Sequence, residues 1–187
     1  DSTRSKTAYQ DIINAFSRHE CDILVGTQMV TKGLHFDDVR LVAVLNADSL
    51  LNQPDYRAYE RTYQMLEQVA GRAGRKGQQG EVLIQTFAPE NRLYGFLQSH
   101  DYDSLYHQEV TERQMFQYPP FYRLIRLELR HHDRARVEQA AAALQDRLGR
   151  IFGQRISAVV VPSPERLQAY FLRTLTLRIE NTASIAE

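Results

Sequence analysis

Cysteine, tryptophan and long apolar runs are scarce or absent in this sequence. Its 187 residues include one cysteine, Cys21, and no tryptophan. A single thiol excludes a disulfide framework within the chain and fits a reducing, cytoplasmic environment. No apolar run approaches the length needed to span a membrane, and no secretory signal peptide is visible. Neither the cysteine nor the histidines show metal-ligand spacing, so we expect a cytoplasmic protein with no membrane partner and no metal site.

An excess of charge of either sign is absent as well. The sequence carries 23 basic and 23 acidic residues, so its formal net charge is zero. A neutral chain has no broad electrostatic attraction for nucleic acid, which leaves room only for local basic patches. With 43% hydrophobic and 25% charged residues, the chain is expected to be globular, with one or two domains.

Two motifs of nucleoside-triphosphate hydrolysis are also missing. The sequence has no phosphate loop of the form G-x-x-x-x-G-K-[ST] and no acidic motif of the D-E-x-H type. Hydrolysis requires a phosphate cradle and a carboxylate that holds magnesium. We therefore expect that this chain alone does not hydrolyse ATP and that it belongs to something larger.

One stretch that is present combines arginines with glycines. Residues 68–75 read Q-x-x-G-R-x-G-R and lie at the end of a helix predicted over residues 56–73. Arg72 and Arg75 are three residues apart, so on a helix they share a face, and guanidinium groups match phosphate oxygens in bidentate geometry. The neighbouring glycines let a backbone or a phosphate approach closely. The pattern favours a pair of arginines that contacts a polyphosphate; the alternative is a glycine-rich helix end with solvated arginines.

A second stretch, residues 22–36, predicts a strand that runs into a polar loop. Residues 23–25 are apolar and mostly β-branched, as in a buried central strand of a parallel sheet. The loop begins at Gly26 and Thr27 and continues through Lys32 and Gly33. Loops at the carboxyl ends of parallel strands often carry function, so these residues are candidate binding residues.

Together the two stretches resemble a known helicase family. The strand, the glycine-threonine loop, the lysine-glycine pair and the arginine-glycine helix resemble motifs V and VI of superfamily 2 helicases. More narrowly, GTQMVTKGLHF with QVAGRAGR is similar to the PriA-type primosomal replication-restart helicases (primosomal protein N′). The resemblance implies the C-terminal part of an ATP-dependent 3′-to-5′ DNA helicase that restarts stalled replication forks and loads the primosome. The alternative is a non-catalytic α/β regulatory module that binds nucleic acid or another anion.

The resemblance also implies roles for the motif residues. Superfamily 2 helicases hold ATP between two lobes, and the second lobe contributes motifs V and VI from across the cleft. Arg72 and Arg75 would be the arginine fingers that meet the γ-phosphate, and Gln68 would orient one of these contacts. Lys32 and Gly33 would lie beside the nucleotide.

On the DNA side, the resemblance implies backbone contacts from Gly26, Thr27 and Lys32. His35 stands where many relatives have an aspartate, so no role is carried over to it. The implied cofactors are ATP and Mg²⁺ in the full-length protein, and Zn²⁺ in a cysteine-rich module that this chain, with Cys21 alone, does not include. The implied partners are the missing first helicase lobe, branched or forked DNA, primosome proteins and single-strand-binding proteins.

The order of the elements predicts an α/β lobe over residues 1–88. A helix over residues 6–18, strands over 39–45 and 81–87, and the long helix between them are typical of a parallel sheet. The resemblance identifies this part as a RecA-like lobe. Residues 89–117 are predicted to be a helical connector, with helices over 91–97 and 103–116, the second anchored by Leu105, Val110 and Phe116.

Residues 118–187 are predicted to form a small, truncated α+β domain. Tyr118-Pro119-Pro120 marks its start, because consecutive prolines cannot continue a helix. Strands are expected over residues 123–130, 156–161 and 170–179, and a helix over 134–152. The apolar positions predicted for the buried side of that helix are Val137, Leu144, Leu148 and Ile151.

Arginines recur on the strands predicted in this second domain. They are Arg123, Arg126, Arg130, Arg173 and Arg178. With Tyr170 and Phe171 nearby, they favour a nucleic-acid face, and the alternative is the ordinary solvated edge of a sheet. His131 and His132 are interpreted as solvated loop residues.

Overall fold

The structure is a computed structural model that describes residues 6–27, 39–71, 73 and 80–183. The chain divides into two compact units, unit 1 (Asp1–Tyr102) and unit 2 (Asp103–Glu187). The division between Tyr102 and Asp103 falls inside the segment predicted as a connector, sixteen residues before Pro119. No described helix is both long enough and apolar enough to cross a membrane.

Within the described residues, unit 1 combines four helices with a two-stranded parallel sheet. In chain order its elements are α1 (Lys6–Ser17), β1 (Leu41–Val44), α2 (Asp48–Leu51), α3 (Ala58–Ala70), β2 (Glu81–Ile84) and α4 (Arg92–Gln98). β1 and β2 pair in parallel, with Leu41 opposite Glu81 and Val44 opposite Ile84. Parallel neighbours need a crossover connection, and α2 and α3 lie within it. The predicted α/β architecture with a parallel sheet is thereby confirmed.

The prediction of a strand over residues 23–25 is wrong, because this segment is described and forms no strand with the other described residues. Ile23 and Val25 are 79% and 85% exposed, and residues 23–25 pair with no described strand. A strand exists only where a neighbour takes up its backbone hydrogen bonds, and apolar composition alone cannot supply that neighbour. The strands predicted over residues 39–45 and 81–87 do form, but each keeps only four residues.

Helix α3 carries a buried apolar stripe and ends three residues earlier than predicted. Tyr63, Leu66 and Val69 recur at helical spacing, and each is buried. The helix ends at Ala70, where the N–H of Gly71 donates to the carbonyl of Glu67. Arg72 and Arg75, the pair predicted to share a face at the end of this helix, lie outside the described residues.

The two helices predicted after residue 89 are present, and they lie in different units. Asn91 caps α4 because its side chain accepts a hydrogen bond from the N–H of Leu93. Helix α5 (Tyr102–Met115) begins at the last residue of unit 1 and continues into unit 2. Leu105 is buried as predicted, but Phe116 is 57% exposed and does not anchor the helix.

The described part of unit 2 is built on a three-stranded antiparallel sheet covered on one face by a long helix. Its further elements are β3 (Tyr122–His131), α6 (Arg134–Phe152), β4 (Arg166–Leu167) and β5 (Tyr170–Glu180). The strand order is β3-β5-β4, so β5 is the central strand. α6 packs against β3 and β5, and the predicted α+β character of this unit is confirmed.

Helix α6 has the predicted bounds, because local signals mark both of its ends. Asp133 caps the start: its Oδ1 accepts from the N–H groups of Ala135 at 2.8 Å and Arg136 at 3.3 Å. Gly153 ends the helix with a φ of 56°, in the left-handed region that favours glycine. Val137 is buried as predicted, whereas Ile151 is 73% exposed and the prediction for it is wrong.

The strand predicted over residues 156–161 is reduced to two isolated bridges. Ile156 pairs with Leu177 and Val160 pairs with Thr174, both antiparallel. Between them, the hydroxyl of Ser157 accepts the N–H of Thr176 at 2.9 Å. A side chain here takes a hydrogen bond that a continuous strand would give to a backbone carbonyl. The short β4 was not predicted.

Candidate functional site

The candidate residues of unit 1 divide into those that the structure describes and those that it does not. The residues predicted for ATP or DNA contacts that lie outside the described residues are Lys32, Gly33, Arg72 and Arg75. His35 also lies outside them. Gly26, Thr27 and Gln68 are described, and all three are exposed. Because Gln68 is in the last turn of α3, its amide is available to a partner.

The turn of α3 that carries Gln68 is fixed through the preceding residue. The carboxylate of Glu67 accepts the hydroxyl of Tyr63 at 3.1 Å and lies 2.9 Å from Nδ1 of His100. Tyr63 is buried, and that burial, followed by the hydrogen bond to Glu67, raises the pKa of the phenol. His100 follows α4, so these contacts connect the end of α3 to the end of α4. Gln68 is thus presented from a helix end with a defined position.

A second polar group lies at the carboxyl ends of the two parallel strands. Asp48 follows β1, and its Oδ1 accepts the hydroxyl of Thr86 at 2.7 Å while its Oδ2 accepts the N–H of Phe87 at 2.9 Å. These two hydrogen bonds, that of Phe87 first, lower the pKa of Asp48. The N–H of Asn46 donates to Oε1 of Gln85 at 3.1 Å. The carboxylate has its partners within the protein, so it braces the strand ends rather than acting as a general base.

In unit 2, two of the predicted nucleic-acid arginines are structural. Arg173 is 1% exposed, and its guanidinium is bound by the carboxylates of Glu138 and of Glu165, the latter at 2.9 Å. Arg173 lies on the central strand β5 and faces α6, which covers this face of the sheet. The prediction that Arg173 belongs to a nucleic-acid face is therefore wrong. Arg123 donates to backbone carbonyls after β5, including that of Ala183 at 2.5 Å.

The remaining arginines share the face of the sheet opposite α6. Arg126 pairs in register with Thr176, and Arg130 pairs with Leu172. The guanidinium of Arg130 lies 5.6 Å from the ring centroid of Tyr170, and that of Arg178 lies 5.7 Å from the ring centroid of Tyr118. Cations over aromatic rings at this distance are attracted by the ring quadrupole.

The two adjacent histidines are not simply solvated. Nδ1 of His131 accepts the N–H of Asp133 at 2.9 Å, beside the cap of α6. His132 stacks on Tyr170 with ring centroids 4.0 Å apart and an interplanar angle of 33°. A stack between residues 38 positions apart depends on strand register, and the local pattern carried no signal of it. Among the described residues, no three histidine, cysteine or acidic side chains are grouped so that they could hold a metal ion.

The chain is similar to known helicase and replication proteins. Residues 1–77 match the helicase conserved C-terminal domain. The chain is 42% identical over 141 residues to the replication restart protein PriA of Bacillus subtilis (strain 168), covering 75% of this chain and 18% of that protein. It is 44% identical over 144 residues to replication restart protein PriA of Synechocystis, covering 77% of this chain and 17% of that protein. Replication restart protein PriA of Chlamydia pneumoniae is 44% identical over 126 residues, which cover 67% of this chain and 17% of that protein.

The region matched by the helicase domain contains the candidate residues of unit 1. Every residue predicted for ATP or DNA contacts, from Gly26 to Arg75, lies within residues 1–77. The chain itself spans only 17% to 18% of the length of these curated relatives. The match of residues 1–77 also confirms the prediction that a RecA-like helicase lobe occupies the first part of the chain.

Proposed function

Because the chain belongs to the PriA family of replication restart proteins, we propose that it acts as the C-terminal part of an ATP-dependent 3′-to-5′ DNA helicase. The single observation that carries the proposal is the match of residues 1–77 to the helicase conserved C-terminal domain. In the whole protein, the activity would restart stalled replication forks and load the primosome in the cytoplasm. The partners would be forked DNA, the first helicase lobe, primosome proteins and single-strand-binding proteins.

This chain would supply the arginine half of an ATP cleft. Arg72 and Arg75 would meet the γ-phosphate, where charge spreads over the equatorial oxygens as the bond to the leaving group breaks. Gln68 fits a supporting role, because it is exposed in a helix turn that Glu67 ties to Tyr63 and His100. An amide held on a rigid helix end orients a neighbouring group at little entropic cost.

The magnesium ion would be held outside this chain. The described residues offer no cluster of three ligands, and the sequence has no acidic motif for magnesium. When ATP is bound between the two lobes, carboxylates of the first lobe would hold Mg²⁺, and the ion would neutralise the charge of the phosphates. Zn²⁺ would belong to a cysteine-rich module that this chain, with Cys21 alone, does not include.

The DNA contacts of unit 1 would go to phosphates. Thr27 offers a hydroxyl and Lys32 a cation, and Gly26 lets the DNA backbone approach closely. A motor that moves along DNA must act on any sequence, and phosphate contacts carry no sequence information. Lys32 and Gly33 would also lie close to the nucleotide, so ATP binding and DNA binding would share this loop.

The test is the Arg75→Ala variant of the full-length protein on forked DNA. We expect kcat for ATP to fall on the order of a thousandfold while the affinities for ATP and DNA change little. The reason is that a finger arginine contributes more in the transition state than in the ground state. Arg75→Lys should recover little activity, because a point charge does not reproduce the planar guanidinium fork.

Matched controls come from residues of the same type elsewhere in the chain. Arg147→Ala changes an exposed arginine of α6 and should leave kcat unchanged. Gln68→Ala should lower kcat, whereas Gln64→Ala, one turn earlier on the exposed side of α3, should not. An Arg75→Ala protein with normal kcat and a lowered melting temperature would make the arginine motif structural and overturn the proposal.

A further inference from the structure

Side chains join helices α3 and α4 at two points. Near the start of both helices, Nδ2 of Asn91 donates to the hydroxyl of Tyr59 at 2.8 Å. Near the end of both, Nδ1 of His100 donates to the carboxylate of Glu67 at 2.9 Å. Asn91 caps α4 and His100 follows it, so the two helices run in the same direction. Helix α4 therefore holds α3 on either side of its middle.

The second of these contacts comes from a histidine with an unusual backbone. His100 has a φ of 53°, in the left-handed region that glycine adopts most readily after a helix. Its side chain is 75% exposed, so burial does not account for a histidine here. The imidazole supplies what glycine lacks, which is a donor for Glu67. Residues in such conformations persist where the surrounding contacts fix them, and they are concentrated at functional sites.

A second ring contact lies beside the histidine. We call residues 100–102 the α4–α5 corner, because α5 begins at Tyr102. The ring of Tyr102 lies 6.0 Å from that of Tyr63, centroid to centroid, at an interplanar angle of 48°. The hydroxyl of Tyr63 donates at 3.1 Å to Oε1 of Glu67, the same oxygen that accepts from His100. Two donors on one oxygen fix the orientation of the Glu67 side chain.

Glu67 is placed where α3 leads into the arginine motif. It directly precedes Gln68, and its backbone carbonyl accepts the N–H of Gly71 at 2.9 Å, where the helix ends. Arg72 is the next residue in the sequence. The corner therefore holds the side chain of Glu67, while the carbonyl of the same residue holds the end of the helix.

We propose that His100 is a positioning residue for ATP hydrolysis, which acts through Glu67 to hold the start of the arginine motif in place. This role rests on the proposed function, in which Arg72 and Arg75 contact the γ-phosphate. His100 needs no contact with the nucleotide. A displacement of about 1 Å at a reacting group lowers a rate by up to about a hundredfold, so a contact that fixes a helix end affects turnover.

The first test is His100→Gly in the full-length protein. Glycine adopts the left-handed backbone without steric cost, so the variant keeps the end of α4 and loses only the imidazole. We expect kcat for ATP to fall about tenfold with little change in KM, because positioning acts on the chemical step. The melting temperature should stay within about 2 °C of the parent. A purely structural role predicts a lowered melting temperature with normal kcat per folded molecule.

Matched controls make the same chemical changes away from Glu67. His19→Gly is the same substitution after α1, at a histidine whose φ is 57°, and it should leave kcat unchanged. Tyr59→Phe removes the hydroxyl near the start of α3, whereas Tyr63→Phe removes the hydroxyl that donates to Glu67. Only Tyr63→Phe should lower kcat.

A double-mutant cycle tests whether His100 acts through Glu67. Glu67→Ala should lower kcat at least as much as His100→Gly, and the double variant should lose no more than Glu67→Ala alone. Glu67→Gln keeps an acceptor oxygen and should retain more activity than Glu67→Ala. Additive losses in the double variant would show that His100 acts by another route and would overturn the proposal.

Hydrogen exchange on the purified chain, without ATP, tests the contact independently of turnover. The amides of residues 67–71 should exchange about threefold faster or more in His100→Gly, and at the parent rate in His19→Gly. Unchanged exchange, or unchanged kcat in His100→Gly beside the expected loss in Arg75→Ala, would overturn the role of His100. Normal kcat in Arg75→Ala would instead overturn the proposed function, so the two failures are distinguishable.

Discussion

At the scale of single residues, Asp48 holds the ends of the two parallel strands of unit 1 together. Asp48 lies after the end of β1, and it accepts two hydrogen bonds from residues that follow β2, Thr86 and Phe87. Both bonds favour the ionised carboxylate, so the pKa of Asp48 is lowered in the folded protein. The pairing of β1 with β2 spans four residues, so it has few ladder bonds, and a side-chain brace at its end adds to its stability.

We expect Asp48→Ala to lower the denaturation midpoint of unit 1 at neutral pH. The pKa of the folded carboxyl lies below its ordinary value of 3.8, so its contribution is complete above that pH and is lost as pH falls through the folded pKa. The difference between parent and variant should therefore shrink below about pH 4. Urea titrations at pH 7 and at about pH 3.5 measure it. Asp22→Ala, at an exposed aspartate of the same unit, should show no such difference.

At the scale of elements, a network of charged side chains joins α6, β5 and the segment between them. Arg173 on β5 binds Glu138 on α6 and Glu165 on the segment that leads to β4. Arg134 completes the network, 3.1 Å from Glu138 and 3.3 Å from Glu165. The hydrogen bond from Arg173, followed by that from Arg134, lowers the pKa of Glu138. The segment before β4 has no continuous ladder of backbone hydrogen bonds to a neighbouring strand, so this network fixes the position of the segment.

We expect Arg173→Ala to lower the free energy of unfolding of unit 2 by about 2 to 4 kcal/mol, because a buried cation and its hydrogen bonds are removed. The half-exposed carboxylates keep water, which holds the loss below that of a fully buried pair. Arg173→Met retains most of the volume and should lose less. Urea unfolding followed by circular dichroism measures both, with Arg147→Ala as the exposed control. Equal stability of Arg173→Ala and the parent would show that the network contributes nothing.

At the scale of the whole molecule, large apolar side chains are exposed along the sheet of unit 1. The exposed fractions are 71% for Leu45, 52% for Leu83 and 85% for Phe87. Contiguous apolar surface is a site of association in a chain of ordinary composition.

We expect the purified chain to self-associate through this surface at micromolar concentration. Leu45→Ser with Phe87→Ser should shift sedimentation velocity toward the monomer and reduce binding of the dye ANS. Met115→Ser with Phe116→Ser, a pair exposed to 67% and 57% at the end of α5, is the matched control and should change neither readout. A monomeric parent chain, or equal effects of the two pairs, would contradict this expectation.

The sequence by itself determined the features that local signals encode. α1 and α6 have their predicted extents to within a residue, because an apolar stripe, a capping aspartate and a terminal glycine act within a few positions. The motif residues were sufficient to identify the family, since Gln68 to Arg75 and Gly26 to Gly33 lie inside the matched region. The α/β and α+β character of the two parts followed from the order of the elements.

The tertiary structure decided everything that depends on which strand lies beside which. Arg173 and Arg130 both lie on alternating polar and apolar stretches of the sequence. Arg173 is on the central strand β5 and is buried, whereas Arg130 is on β3 and is exposed beside Tyr170. Residues 23–25 have the composition of a strand and find no partner among the described residues, and the His132–Tyr170 stack exists only through the register of β3 on β5. Pairing between distant residues sets the neighbours and burial of a side chain, and no local pattern contains that information.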